Sequence, residues 1–379
     1  MTREPPKGPV KWARRRVLPL MARLAALAGV LLLAAWLTGR VLTDQHHWSQ
    51  YLWWMPAEWV LAAVWGLWGI SALLALGSTR LGGALVRPFL LIGIILATAW
   101  VLFAEWHAER YVVPVRARAQ TARIAHWNLS ANDAEGDVAP FIASQDPMVA
   151  IVTNSRFDVD RPSLVAGLRA IAGEDDTQTR FLERGRVMVA SRLPIVGFGV
   201  ARLGKLDVPD DWPSAHDTGQ VAYVELDASE YFPDLGRPLV VWVVDVPSDP
   251  RLWRMNVMRE ARAAVDAWGG PRWHADAAGR LIATHDEAAF PLPDVVVGDF
   301  NAPRGSASVR TLVGDMREAH AAAGRGRDAS FLFRLRLFSP GLQIDQSFVG
   351  KDWRAAGYDL ARRPPVKHAM QWVDVERQQ

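Results

Sequence analysis

The sequence predicts a membrane-anchored α/β protein: three membrane-spanning helices, then a domain in which sheet packs against sheet with helices outside. Three observations predict it. Long uncharged apolar runs fill much of the first hundred of the 379 residues. Beyond them, short apolar runs of strand length are interspersed with a few helical segments. One of those runs, Val295 to Gly298, ends in an acid and an amide, Asp299 and Asn301, at its carboxyl edge.

The apolar runs are Leu24 to Leu37, extendable to Leu42 across Thr38, Gly39 and Arg40, then Trp59 to Leu76 and Pro88 to Ala104. Each is close to the roughly 20 residues a helix needs to cross a bilayer. One run alone suits a buried core helix, and the first also suits a signal peptide. Three in succession, with no clear small-residue cleavage site, favour three spans. Trp48, Trp53, Trp54, Trp59, Trp100 and Trp106 cluster at their ends, where indoles prefer the interface. The leader carries Arg3, Lys7, Lys11, Arg14, Arg15, Arg16 and Arg23, the loop from Thr43 to Glu58 has no Lys or Arg, and Arg80 and Arg87 lie between the second and third runs. The positive-inside rule therefore puts the amino terminus and second loop in the cytoplasm and everything after Glu105 outside. In a bacterium this is the inner (cytoplasmic) membrane, with the soluble domain on the periplasmic side. The expected organisation is a basic leader over 1–23, a transmembrane region over 24–104, a linker over 105–122 and a domain over 123–379.

Charge is unevenly spread. Of 43 Lys and Arg and 40 Asp and Glu, ten basic and three acidic residues precede Glu105, leaving 33 against 37 and a formal charge of −4. A mildly acidic domain has no global attraction for a polyanion, despite a sequence pI near 9.4; a local basic groove stays open. The chain has no cysteine, which excludes disulfides and thiolate chemistry.

Within the domain, Tyr111 to Thr121 is a basic connector. Strands are expected at Arg123–Leu129, Met148–Thr153, Val187–Ala190, Ile195–Val200, Val221–Leu226, Leu239–Val244, Val295–Gly298, Ile344–Val349 and Met370–Val375. Helices are expected at Val138–Ser144, at Pro162–Ala172 behind a first-turn proline, at Leu252–Trp268 and near Ala307–Val313. Gly269 to Leu292 lacks periodicity and is expected to be loop. No internal repeat stands out.

The ordered set Trp127-Asn128, Ser191-Arg192-x-Pro194, Gly298-Asp299-Phe300-Asn301, Ile344-Asp345 and Lys367-His368 resembles the endonuclease/exonuclease/phosphatase superfamily, which includes exonuclease III, DNase I, inositol phosphatases and neutral sphingomyelinases. The resemblance covers roughly Arg123 to Glu376, with Gly-Asp-Phe-Asn its most specific piece. It implies a four-layer α/β sandwich, two packed mixed sheets with outer helices, and hydrolysis of phosphodiester or phosphomonoester bonds with Mg²⁺ or Mn²⁺. It further implies that Asn128, Asp299 and Asn301 surround the scissile phosphate. Asp299 would orient or deprotonate water, and the amides would stabilise phosphoryl oxygens. His368 would contact the phosphate, held by Asp345. Taken singly, these residues also suit a capped turn (Asn128) or a satisfied imidazole (His368).

Three positions depart from the family pattern. Asn154 stands where a metal-binding glutamate is expected, Lys367 where Ser-Asp-His would place an aspartate, and Asp245 where a histidine is expected. The changes at 154 and 367 make the metal position more positive by three formal units, one and two respectively, so Mg²⁺ is expected to bind much less well there. The Lys367 ammonium would then preserve phosphate binding in place of the metal, without activating water as a divalent ion does. Other candidates are weaker. His274, His285, Asp286 and Glu287 match no ligand spacing and suit a solvated loop; His46-His47 suits the interface; Ser191 suits a structural turn.

Two functions follow. One is an extracytoplasmic membrane-anchored phosphoesterase acting on a phosphorylated small molecule, lipid headgroup or nucleic acid, long DNA being least favoured. The other is a catalytically silent relative that binds a phosphorylated ligand or a partner protein.

Overall fold

The computed structural model describes residues 17–76, 86–130, 138–155, 161–173, 179–204, 206, 219–285, 288–327, 329–332, 341–364 and 366–378. The chain divides into two compact units, Met1–Glu105 and Trp106–Gln379.

The first unit is helical: α1 (Leu18–Leu42), α2 (His47–Trp53), α3 (Ala57–Leu76) and α4 (Val86–Trp100), the last continuing into a π-helical turn, Val101–Glu105. Three stretches, Leu18–Leu42, Ala57–Leu76 and Val86–Glu105, are long and apolar enough to cross a membrane. Along α1 the buried positions Ala22, Ala26, Gly29, Leu33 and Trp36 recur at helical spacing, a mostly small-residue stripe that lets helices approach closely. At Gly39 a Cβ would lie 2.6 Å from the Leu52 carbonyl carbon, so α2 folds back on α1 only over a glycine. The charge of Arg40 is met by Glu105, 3.3 Å away, and by the faces of Trp36 and Trp53.

The second unit holds β1 (Ala122–Asn128), α5 (Val138–Ala143), β2 (Val149–Thr153), α6 (Arg161–Ala172), β3 (Phe181–Arg184), β4 (Val187–Ser191), β5 (Ile195–Arg202), β6 (Gln220–Leu226), β7 (Leu239–Asp245), α7 (Arg254–Asp266), β8 (Arg272–Ala275) and β9 (Leu281–Thr284). These are followed by β10 (Val295–Asp299), α8 (Ala307–Val313), β11 (Arg317–Glu318), α9 (Ala319–Ala323), β12 (Phe331–Leu332), β13 (Gly341–Leu342), β14 (Asp345–Val349), β15 (Trp353–Ala361) and β16 (Met370–Arg377). One sheet runs β15-β16-β1-β2-β4-β3 and the other β11-β14-β10-β7-β6-β5-β8-β9, with β12 and β13 as a separate hairpin. Both large sheets are mixed: β1 is parallel to β2 and β10 to β7, and their other pairings are antiparallel.

Three cores stack in parallel. Ile124, Ile151, Val189, Val224, Val243, Val297 and Val373 fill the space between the sheets. Trp127, Val152 and Met188 face outward on the first sheet, against Ile142 and Leu168 of α5 and α6. Tyr223, Trp242 and Val296 do the same on the second, against Met258 and Leu312 of α7 and α8. Each strand thus alternates inner and outer side chains, and the order helix, sheet, sheet, helix is the expected four-layer sandwich.

Several elements differ from the sequence expectation. The stretch Gly269–Leu292 contains the hairpin β8–β9, closed where Asp276 Oδ1 accepts from the main-chain nitrogens of Ala278 and Arg280, each at 2.9 Å. Its strands are half-exposed at a sheet edge, so they lack an apolar face for periodicity to reveal. The nine-residue β15 was not foreseen either; it is an outer strand with a bulge between Ala355 and Gly357. The long helix begins at Arg254 rather than Leu252, because Trp253 is extended at φ −70° and ψ 114°.

Candidate active site

The inner-facing parity of the strands builds the site. In β10, Val295 and Val297 point into the central core, so Asp299 does too; in β7, Val241 and Val243 do the same for Asp245. Register then places Asp299 beside Asp245 on parallel β7 and beside Asp345 on antiparallel β14. One sheet therefore presents three carboxylates in a row, all nearly inaccessible.

The opposing sheet presents three nitrogen donors. Asn128 Nδ2 donates to Asp299 Oδ2 at 2.7 Å, and Asn154 Nδ2 donates to Asp245 Oδ1 at 2.9 Å. His368 Nδ1 lies 2.8 Å from Asp345 Oδ2 and 3.8 Å from Asp299 Oδ2. Asn154 Nδ2 also reaches Asn128 Oδ1 at 3.3 Å, which ties the two amides together. The result is three rungs across the sandwich, acid to donor.

Local backbone holds the rungs. At Gly298, φ 156°, a Cβ would sit 2.0 Å from the Val244 carbonyl oxygen, so only glycine lets β10 lie this close to β7. Asn301 (φ 46°) and Asn154 (φ 52°) adopt left-handed conformations that asparagine tolerates better than most residues. Asn301 fastens the turn: its main-chain nitrogen donates to Asp299 Oδ1 at 2.9 Å and its Nδ2 to the Val246 oxygen at 2.8 Å. Asp345 and Ile344 nitrogens both donate to Ser330 Oγ, and Trp127 Nε1 holds the His368 carbonyl at 3.0 Å. Beneath the rungs, Gln371 Nε2 reaches His126 Nδ1 (3.1 Å), the Gln346 oxygen (3.2 Å) and the Gly298 oxygen (3.4 Å), joining the two sheets by polar contacts.

The electrostatics follow from the row. Burial, and then the neighbouring charge of Asp345, push Asp299 up to about 8, with Asp245 adding to the effect and His368 opposing it. Burial alone would lower His368, but the Asp345 carboxylate and its hydrogen bond win and raise it to about 9, helped by Asp299 and Asp245. Burial likewise opposes ionisation of Asp345, yet His368 holds it below the ordinary carboxylate range. His126, fully buried, falls to about 4 and is a neutral spacer. The middle acid of three thus carries the proton at neutral pH.

The structure brings together Asn128, Asp299, Asn301, Asp345, His368 and Asn154. Lys367 stands apart: it is exposed, and among the described residues no ion pair joins it to Asp299 or Asp345. The cation beside the row is His368 instead. The charge count of the sequence also needs Asp245, which restores next to Asn154 the carboxylate that position 154 lacks. Its signal was present, since Asp245 continues the inner parity of Val241 and Val243. Ser191 Oγ accepts from the Leu193 nitrogen at 3.0 Å, as a turn residue does. His274 lies on β8, hydrogen-bonded to Thr284; His285 is exposed, and Asp286 and Glu287 lie outside the described residues.

A hard divalent cation takes carboxylate and carbonyl oxygens, and the rungs supply them from Asp245, Asp299 and Asp345 and from the amides of Asn128 and Asn154. Ligand atoms of Asp299, Asp345 and His368 lie within 4.8 Å of one another. On donor chemistry the residues present fit Mg²⁺ or Mn²⁺.

No protein-family model and no curated protein matches the sequence. Solved structures do resemble it. A functionally unknown conserved protein from Enterococcus faecalis V583 is 16% identical, with 68% of this chain and 100% of that one covered and a TM-score of 0.46. An endonuclease/exonuclease/phosphatase from Bacteroides vulgatus is 14% identical over 68% and 99%, TM-score 0.42. Another, from Beutenbergia cavernae DSM 12333, is 16% identical over 68% and 72%, TM-score 0.44.

Proposed function

We propose that the chain is a phosphoester hydrolase anchored in a membrane, its domain outside the cytoplasm, cleaving phosphodiester or phosphomonoester bonds. The observation that carries this reading is the middle rung: an ionisable acid, Asp299, is aligned by Asn128 and the Asn301 nitrogen within 3.8 Å of a histidine. The distribution of Lys and Arg around the apolar runs supports the extracytoplasmic placement.

In this reading Asp299, once ionised, accepts a proton from the attacking water. His368, kept protonated by Asp345, donates to a phosphoryl oxygen, where a fixed charge is worth most as negative charge shifts during displacement. Asn128 bridges to Asp299 and offers its amide to the same group, while Asn301 positions the turn. Asp245, Asp299 and the two amide oxygens would hold a divalent cation, which when bound neutralises phosphoryl charge and makes water more acidic.

A silent, ligand-binding relative is favoured by one observation, the engagement of Asn154 by Asp245 where a free carboxylate was expected. The detergent-solubilised full chain, assayed on bis-p-nitrophenyl phosphate with Mg²⁺, Mn²⁺ or EDTA, separates the two. Turnover lost in Asp299→Ala is the expected result. Binding of phenyl phosphate without turnover under all three conditions would establish the silent reading instead.

A further inference from the structure

Residues 106–111, which directly follow the third apolar helix in the chain, are clamped onto α9 and the turn that follows it. The Gly326 nitrogen donates to the Trp106 oxygen at 2.6 Å. The Arg110 guanidinium caps α9, donating to the carbonyls of His320 (3.0 Å), Ala321 (2.6 Å) and Gly324 (2.7 Å). The His107 ring packs on that of His320, centroids 5.6 Å apart, and His320 Nδ1 in turn meets Arg304, three residues beyond Asn301. Ser330, the residue that holds Asp345, is four positions beyond Gly326, so that path spans at most about 14 Å. Within this unit, Trp106 is therefore joined to the frame of the site through a few residues.

The surface along this short path is apolar and then cationic. Tyr111, Val112 and Val113 are 64%, 83% and 73% exposed, an unusual run for a water-facing surface. Arg325 lies over the Tyr111 ring at 5.5 Å. Arg325, Arg327 and Arg362 are all exposed, and Arg362 is close enough to Arg327 and Asp345 to feel both charges. Exposed Lys367 precedes His368 itself. A domain of net negative charge thus carries a strip of positive charge running from its membrane attachment to its site. Interfacial aromatics and aliphatics beside clustered arginines match the headgroup layer of an anionic bilayer.

We propose that the substrate is the phosphoester headgroup of a lipid lying in the membrane that anchors the chain, drawn to the site along the Arg325, Arg327 and Arg362 strip. This rests on the phosphoester hydrolase reading and adds the source of the phosphate. A soluble phosphodiester has the same chemistry but arrives singly, whereas headgroups of an anionic bilayer are presented together to the strip.

The test uses the full chain reconstituted in phosphatidylcholine vesicles with and without phosphatidylglycerol. Release of water-soluble headgroup is compared with hydrolysis of soluble glycerophosphoglycerol and of bis-p-nitrophenyl phosphate. Headgroup release should exceed glycerophosphoglycerol hydrolysis by at least about ten-fold and rise with phosphatidylglycerol. Each arginine near an anionic surface contributes about five-fold, so Arg325→Ser/Arg327→Ser/Arg362→Ser should weaken the dependence on phosphatidylglycerol on the order of 100-fold. A long Gly-Ser insertion between Glu105 and Trp106 should lower headgroup release while bis-p-nitrophenyl phosphate hydrolysis persists, which also shows that the variant is folded. Glycerophosphoglycerol or single-stranded DNA cleaved as fast as the bilayer lipid overturns the inference. Activity on bis-p-nitrophenyl phosphate but none on vesicles overturns it too and leaves the hydrolase reading standing; inactivity on every substrate removes both.

Discussion

Replacing Asp299 with asparagine should stabilise the protein while abolishing turnover. The folded-state pKa of Asp299 lies near 8 against 3.8 for the free side chain. Because the folded value is raised, the native state binds a proton that the unfolded chain has released. This group's contribution is therefore fully present below pH 3.8 and is lost progressively as pH rises towards 8. At pH 7 the loss spans about three pH units, or about 4 kcal/mol. Asparagine has no proton to gain and removes that loss. It also turns the 2.7 Å contact with Asn128 Nδ2 into two facing amides that do not both donate, which costs about 1–2 kcal/mol. The net is a gain of about 2–3 kcal/mol, or roughly 5–10 °C in Tm for a domain of this size. Thermal unfolding of the detergent-solubilised chain in EDTA, at pH 5, 7 and 9, measures it. The variant should exceed the parent at pH 7 and 9 and converge with it towards pH 5. A Tm for Asp299→Asn that falls below the parent at pH 7, or a gap that does not widen with pH, would refute the three-acid row as the source of the shift.

Two further outcomes follow from the same geometry. In EDTA, kcat/KM on bis-p-nitrophenyl phosphate should rise through about pH 8 as Asp299 ionises and fall beyond about pH 9 as His368 loses its proton, giving a narrow alkaline bell; a flat profile from pH 6 to 10 contradicts the assigned roles. Gly298→Ala places a methyl 2.0 Å from the Val244 oxygen and should destabilise the domain by about 3 kcal/mol, read as a Tm lower by about 6 °C or more.

Strands β7 and β10 were legible because their inner faces, Val241 and Val243, Val295 and Val297, are apolar, so a polar residue at the strand end stands out; β1 and β14 also carry His126 and Ser347 inward. Asp299 could be picked on that ground and Asn128 as the carboxyl-end residue of its strand, whereas Asp345 came only with the resemblance. What a single sequence does not hold is which ends face one another: Asn128 and Asp299 are 171 residues apart and meet only through the packing of two sheets. For the same reason Asp245 was noticed as a departure while its charge went uncounted, and Lys367 was credited with a place that His368 takes: parity from Gln371 and Val373 points to 367, but both residues precede the strand, where Trp127 holds the His368 carbonyl. The β8–β9 hairpin escaped because its edge strands bury too little to show a period, and β15 because its bulge between Ala355 and Gly357 breaks the alternation.

The placement of charge inside and outside the sandwich has one physical logic. If the proposed substrate is a phosphoester, three acids in adjacent strands are costly, since an anion entering there meets like charge at close range. The row supplies a base and cation ligands, but it cannot attract the substrate. Attraction has to come from elsewhere, and in the lipid reading proposed above it comes from the arginine strip outside the row, where water screens charge but a bilayer surface concentrates anions. In that reading long-range capture and short-range chemistry are separated in space, with cationic His368 beside the row and Arg362 near enough to Asp345 to feel its charge. The net charge of −4 over the domain conceals this separation, because a sum over the domain does not reveal that Arg325, Arg327 and Arg362 are exposed while Asp245, Asp299 and Asp345 are buried.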